Sequence, residues 1–144
     1  MPFVDWSENY NTGIPDIDRE HRMLFALIND LHDRVAANSP DLSVKATIDA
    51  LVEYVGYHFT REESLMASCL YTDLENHKVG HRKLQSQLET CRREFERDPE
   101  AFDMVDFMGF LAFWLQSHIL QSDMAYITCV KRRVESVVGV TVKL

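Results

Sequence analysis

Cysteine is scarce: Cys69, Cys91 and Cys129 are odd in number and lack any CxxC spacing, which argues against a disulfide framework and a thiolate zinc site and predicts reduced thiols. Positive charge is also in deficit. Lysine and arginine total 15 against 23 acidic residues, and the net charge of −8 excludes a nucleic-acid backbone or an anionic membrane as natural partner. Long apolar runs are missing. The longest, FMGFLAFWL at 107 to 115, is bounded by Asp106 and Gln116, well short of the roughly 20 residues a bilayer span needs. Repeats and low-complexity segments are absent, and strand-like alternation is confined to SVVGVTVKL at 136 to 144. The N-terminal MPFVDWSENYNTG has neither the basic start nor the apolar core of a secretory signal. The expectation is a single cytoplasmic domain over residues 1 to 144, almost all helix.

What is present is an apolar seam repeated four times. Helices are expected at about 17 to 37, 41 to 68, 72 to 97 and 99 to 132, after an N-terminal loop over 1 to 16. NSP at 38 to 40 ends the first, and Asp98 followed by Pro99 opens the last. In the first helix Ile17, His21, Leu24, Ile28, Leu31 and Val35 recur at steps of four and three. Ile48, Leu51, Val55, His58, Glu62, Leu65 and Cys69 continue the rhythm in the second, and Leu70, Leu74, His77, His81, Leu84, Leu88, Cys91 and Phe95 in the third. In the fourth the seam is Met104, Met108, Leu111, Leu115, His118, Ser122, Ala125 and Cys129. This is the spacing of a left-handed bundle, and short connections make sequential helices antiparallel. The fold class is all-α.

Five of the six histidines interrupt these seams, at His21, His58, His77, His81 and His118. Burying an unpartnered polar ring costs roughly 1 to 3 kcal/mol, and an unpartnered carboxylate such as Glu62 more. Any one of them could be a core residue bonded to a carbonyl, but that gives no reason for all four helices to turn a histidine inward. A metal does. His77 and His81 in HKVGH, and His58 with Glu62, stand one turn apart on one helix face, as two ligands to one ion require. Lys78 occupies the position of the glutamate in a zinc-protease HExxH, which excludes that chemistry. Five imidazoles exceed the needs of one ion, so the count points to two ions sharing Glu62, and nitrogen and oxygen donors favour iron or manganese. Glu63 lies off the seam and is expected at the surface. Asp123 follows His118 by five residues, about 140° around an α-helix, so spacing leaves its role open. His32, roughly 16 Å along the helix from His21, is expected to be ordinary surface.

GIPDIDREHRMLF at 13 to 25, YHFTREESLM at 57 to 66, HKVGH at 77 to 81 and WLQSHILQSDMAY at 114 to 126 together resemble the hemerythrin family, from Trp6 to about Tyr126. The resemblance implies an antiparallel up-down-up-down four-helix bundle and two Fe ions in a non-haem di-iron centre with an oxo or hydroxo bridge. By position it implies His77, His81 and His118 on one iron, His21 and His58 on the other, and Glu62 and Asp123 bridging both. The iron with two histidines then keeps an open position for O2. An apolar pocket of Phe59, Trp114, Leu115, Ile119 and Tyr126 is implied around it, keeping water out. Glu20 is expected to face solvent. The implied function is reversible O2 binding by a monomer, for storage, transport or delivery to an oxygen-consuming protein partner, and not enzymatic. A sensor of O2, NO or redox state acting through a separate partner, and a di-iron oxidase or peroxidase, are the alternatives.

Overall fold

Apolar stripes at bundle spacing must be covered, and in the computed structural model they cover one another. It describes residues 2 to 138, with side chains at all of these except 121 to 123 and 134 to 138. Helix α1 spans Pro15–Ala36, α2 Asp41–Ser68, α3 Leu74–Arg97, α4 Met104–Ser117 and α5 Met124–Val138. A π-helical segment, His118–Asp123, joins α4 and α5 into one continuous arm. In that arm α4 packs on α1 and α5 on α2, while α2 also packs on α1 and α3. The result is an up-down-up-down four-helix bundle, without strands among the described residues. No described helix is long and apolar enough to cross a membrane.

The fourth arm departs from the expected 99 to 132 at both ends. Asp98 accepts a hydrogen bond from the Ala101 N–H at 3.3 Å, yet residues 98 to 103 only form turns. The helix starts at Met104, where the Asp103 side chain accepts from the Asp106 N–H at 3.0 Å and satisfies a first-turn donor. At the other end it continues to Val138, so residues 136 to 138 of the strand-like stretch are helical. A helix already wound gains one bond for each residue added, which overrides a short local alternation. Residues 139 to 144 lie outside those described.

The seam residues form the core. Leu24, Ile28 and Leu31 from α1, Leu51 and Val55 from α2, Leu88 from α3 and Leu111 and Leu115 from α4 are all but fully buried. The expected N-terminal loop carries a 3-10 turn, Glu8–Tyr10, and closes one side of this core. The Asn29 side chain accepts from the Val4 N–H at 2.8 Å and donates to the Val4 carbonyl at 2.9 Å, and Trp6 and Tyr10 pack edgewise around Phe25. Gly13, at φ +84°, turns this segment into α1, and a Cβ there would lie 2.8 Å from Lys131 Nζ on α5.

A smaller apolar cluster of Met66, Tyr126, Ile127 and Val130 sits between α2 and α5, with Cys69 against it. Beside it the expectation of three reduced thiols fails for two: Cys69 and Cys129 form a disulfide, with Cα atoms 5.8 Å apart. Their separation of 60 residues hides the pairing, which only the docking of α5 on α2 creates. Cys91 stays a half-buried thiol, its pKa raised by burial first.

Leu51 has no exposed surface and is two turns from the nearest histidine of its seam. Leu51→Ala is expected to cost about 2 to 5 kcal/mol of folding stability, read from urea unfolding of the metal-free chain.

Candidate metal centre

The interlocking seams bring His21 from α1, His58 and Glu62 from α2, His77 and His81 from α3 and His118 from the head of the π segment to one level of the bundle. Glu62 is fully buried at the middle. Its Oε1 is approached by three imidazole nitrogens, His58 Nε2 at 3.1 Å, His118 Nε2 at 3.3 Å and His81 Nε2 at 3.5 Å. Donor atoms of His21, His58, Glu62 and His118 all lie within 4.8 Å of one another. The His118 ring stands between two pairs. Its centroid is 6.0 and 6.3 Å from His58 and His21, and 5.6 and 6.3 Å from His81 and His77.

The far side of two rings is held by carboxylates. His58 Nδ1 lies 2.9 Å from Glu20 Oε1, and His81 Nδ1 lies 2.7 Å from Glu63 Oε2. An ionised carboxylate can only accept, so each fixes the proton on Nδ1 and turns the Nε2 lone pair inward, the tautomer a metal needs. Both glutamates correct the sequence expectations. Glu20, expected in solvent, is 3% exposed, and Glu63, expected at the surface, is largely covered. Phase on their own helices placed them outside the seam, but each side chain is long enough to reach a neighbouring helix. Arg61 Nε donates to Glu20 Oε2 at 3.1 Å, and Arg82 to Glu63, so each carboxylate is itself anchored. The remaining Glu62 oxygen, Oε2, accepts from the Tyr126 hydroxyl at 2.7 Å. A donor set of imidazoles and one buried carboxylate, oriented from behind by further carboxylates, fits iron or manganese.

The family model described as the Hemerythrin HHE cation binding domain matches residues 12–130. The chain belongs to the hemerythrin family. It is 30% identical to the bacteriohemerythrin of Pseudomonas aeruginosa over 138 residues, 96% of this chain and 88% of that one. It is 31% identical to the bacteriohemerythrin of Methylococcus capsulatus over 130 residues, 90% and 98% of the two chains. The crystal structure of a wild-type hemerythrin superposes with a TM-score of 0.81 at 31% identity, covering 89% of this chain and 98% of that one.

In this hemerythrin the π segment resolves the awkward spacing of Asp123. With i→i+5 winding, residues five apart are one turn apart, as residues four apart are in an α-helix, so positions 118 and 123 come into phase. The side chain of Asp123 lies outside those described. The same extra residue shifts the seam beyond it. Ala125, expected inside, is exposed, whereas Tyr126 and Val130 are buried, and Cys129 moves to the flank. Of the expected pocket residues, Phe59 stacks on His81 at 3.7 Å between ring centroids and Trp114 on His118 at 5.0 Å. Leu115 and Ile119 are fully buried. Tyr126 is more than lining, since its hydroxyl holds Glu62. His32 stacks on Phe3 instead of joining the cluster.

Burial pushes the His81 imidazole below its ordinary value of 6.5, against the opposing effect of the hydrogen bond it donates to Glu63. A lowered folded-state value means that the unfolded chain takes up the proton first. The stability His81 contributes is complete above pH 6.5 and is lost as the pH falls toward the lowered value. Denaturant titrations of the metal-free chain from pH 8 to 5 are expected to lose stability below about pH 6.5, and His81→Gln to lose less.

Proposed function

We propose that this hemerythrin binds O2 reversibly at a non-haem di-iron centre, for storage, transport or delivery to an oxygen-consuming partner in the cytoplasm. It is a binding protein, not an enzyme. The observation that carries this is the convergence of three imidazole Nε2 atoms on one oxygen of the fully buried Glu62. His77, His81 and His118 would hold one iron and His21 and His58 the other, with Glu62 and, by family position, Asp123 as the carboxylates that would serve both. When bound, the ferrous pair would supply the two electrons that O2 binding draws on.

The chain's own residues make that binding reversible. Glu20 and Glu63 keep the imidazoles of His58 and His81 turned inward, and Tyr126 keeps Glu62 from swinging away. Phe59 and Trp114 cover ring faces of His81 and His118, while Leu115 and Ile119 fill the space between helices. Together they limit the water and protons that would make oxidation irreversible, and a cavity of ≈ 510 Å³ lined by His77, His81, Trp114 and His118 is the approach that remains to the centre.

An optical spectrum of the iron-loaded protein, taken anaerobically, in air and anaerobically again, tests the reading. A visible charge-transfer band that appears with air and vanishes under nitrogen is expected. A ferric spectrum that does not recover would move the assignment to a redox sensor or an oxidase. His118→Ala should bind fewer than two irons per chain, and two irons with an unchanged spectrum would place the site elsewhere. Glu20→Ala should weaken iron binding by about 10-fold to 100-fold in a chelator competition, with Glu20→Gln, which keeps an acceptor oxygen, affected less.

A further inference from the structure

Cys69 closes α2 and Cys129 lies on the flank of α5, and their disulfide is half-buried at both ends instead of being sealed in the core. A cavity of ≈ 540 Å³ lies against it, lined by both cysteines together with Arg132 and Arg133. Both arginines are exposed, so the approach to the sulfurs is cationic on a chain whose net charge is −8. A disulfide that only braces a fold needs no such access, whereas exchange requires that a thiolate reach one sulfur.

Inward of the bond lies the metal centre. Tyr126, three residues before Cys129 on α5, donates its hydroxyl to Glu62, and Met66, between Glu62 and Cys69 on α2, packs with Tyr126, Ile127 and Val130. The cross-link therefore fastens α5 to α2 one turn from the hydrogen bond that holds the central carboxylate.

We propose that Cys69–Cys129 is a thiol-exchangeable latch, opened by a small anionic thiol entering beside Arg132 and Arg133, and that opening it loosens α5 from α2 around Tyr126. This goes beyond O2 binding and makes the arm responsive to the thiol pool around the protein. The thiolate attacks one cysteine sulfur, forming a mixed disulfide as the S–S bond breaks and the other cysteine leaves as thiolate. A second small thiol attacks the mixed disulfide and frees the remaining cysteine. Two small thiols thus give two electrons and two protons to the cysteine pair and depart as one small disulfide. Arg132 and Arg133 attract the carboxylates of the incoming thiol and favour the thiolate form at the sulfurs.

The test treats the iron-loaded 144-residue chain under nitrogen with reduced glutathione, which is anionic, or cysteamine, which is cationic, at matched thiolate concentration. Alkylation and mass spectrometry follow the release of Cys69 and Cys129, and amide hydrogen exchange follows residues 124 to 130. Glutathione is expected to open the bond about tenfold faster than cysteamine, an advantage that Arg132→Gln with Arg133→Gln removes. Amides at 124 to 130 should exchange faster in the opened chain, and Cys69→Ser with Cys129→Ser should show that faster exchange without any added thiol. The proposal is overturned if Cys69 and Cys129 alkylate before any thiol is added, if the two thiols react at equal rates, or if exchange at 124 to 130 is the same in both states. None of these readouts depends on O2.

Discussion

A carboxylate fully removed from water, with three imidazole nitrogens converging on one of its oxygens, is the constraint on which the rest of this structure depends. An ionised glutamate in a dry core is unfavourable unless positive charge or hydrogen bonds compensate it. The bundle meets that demand from every side: histidines from all four arms, a tyrosine hydroxyl on the second oxygen, and two outer carboxylates that orient the rings. The four-helix arrangement is what lets so many donors reach one point, because each arm offers only one or two inward positions per level. The polar centre gives the fold its register, since sliding one helix by a turn would leave Glu62 among aliphatic side chains.

Around this centre the packing divides in two. Toward the N-terminal lid the core is aliphatic and aromatic, closed by Trp6, Tyr10 and Phe25 and by the clasp of Asn29 on the Val4 backbone. Toward the end of α2 the apolar cluster is small, and a covalent bond supplements it. Aromatic rings stacked on His81 and His118 join the two regimes, limiting ring rotation while presenting apolar faces to the surroundings.

Much of this is legible in the sequence because a bundle writes its core as a period. The inward histidines stand out as interruptions of that period, and their convergence with Glu62 follows from seam phase alone. What phase cannot show is what crosses between helices. Glu20 and Glu63 lie off their own seams and act on rings of a neighbouring helix, so a helix-by-helix projection assigns them to solvent. The Cys69–Cys129 bond is hidden for the same reason. The start of α4 is misplaced because Asp98 and Asp103 both cap, and only the second cap is followed by residues that can bury a face. Asp123 and the residues after it are misphased because a regular α-helix is assumed across 118 to 123, where the winding is wider.

That wider winding has a consequence for how the arm tolerates change. The π segment holds one residue more than an α-helix would use for the same turn, and everything from Tyr126 onward stays in phase because the wider winding absorbs it. Losing one residue between 118 and 123 would let the segment rewind as a regular α-helix with Tyr126, Ile127 and Val130 still facing the bundle, whereas gaining one would rotate the downstream helix by about 100°. The centre of the fourth arm can therefore lose one residue more readily than it can gain one, and a related chain one residue shorter there should keep the same downstream face turned inward.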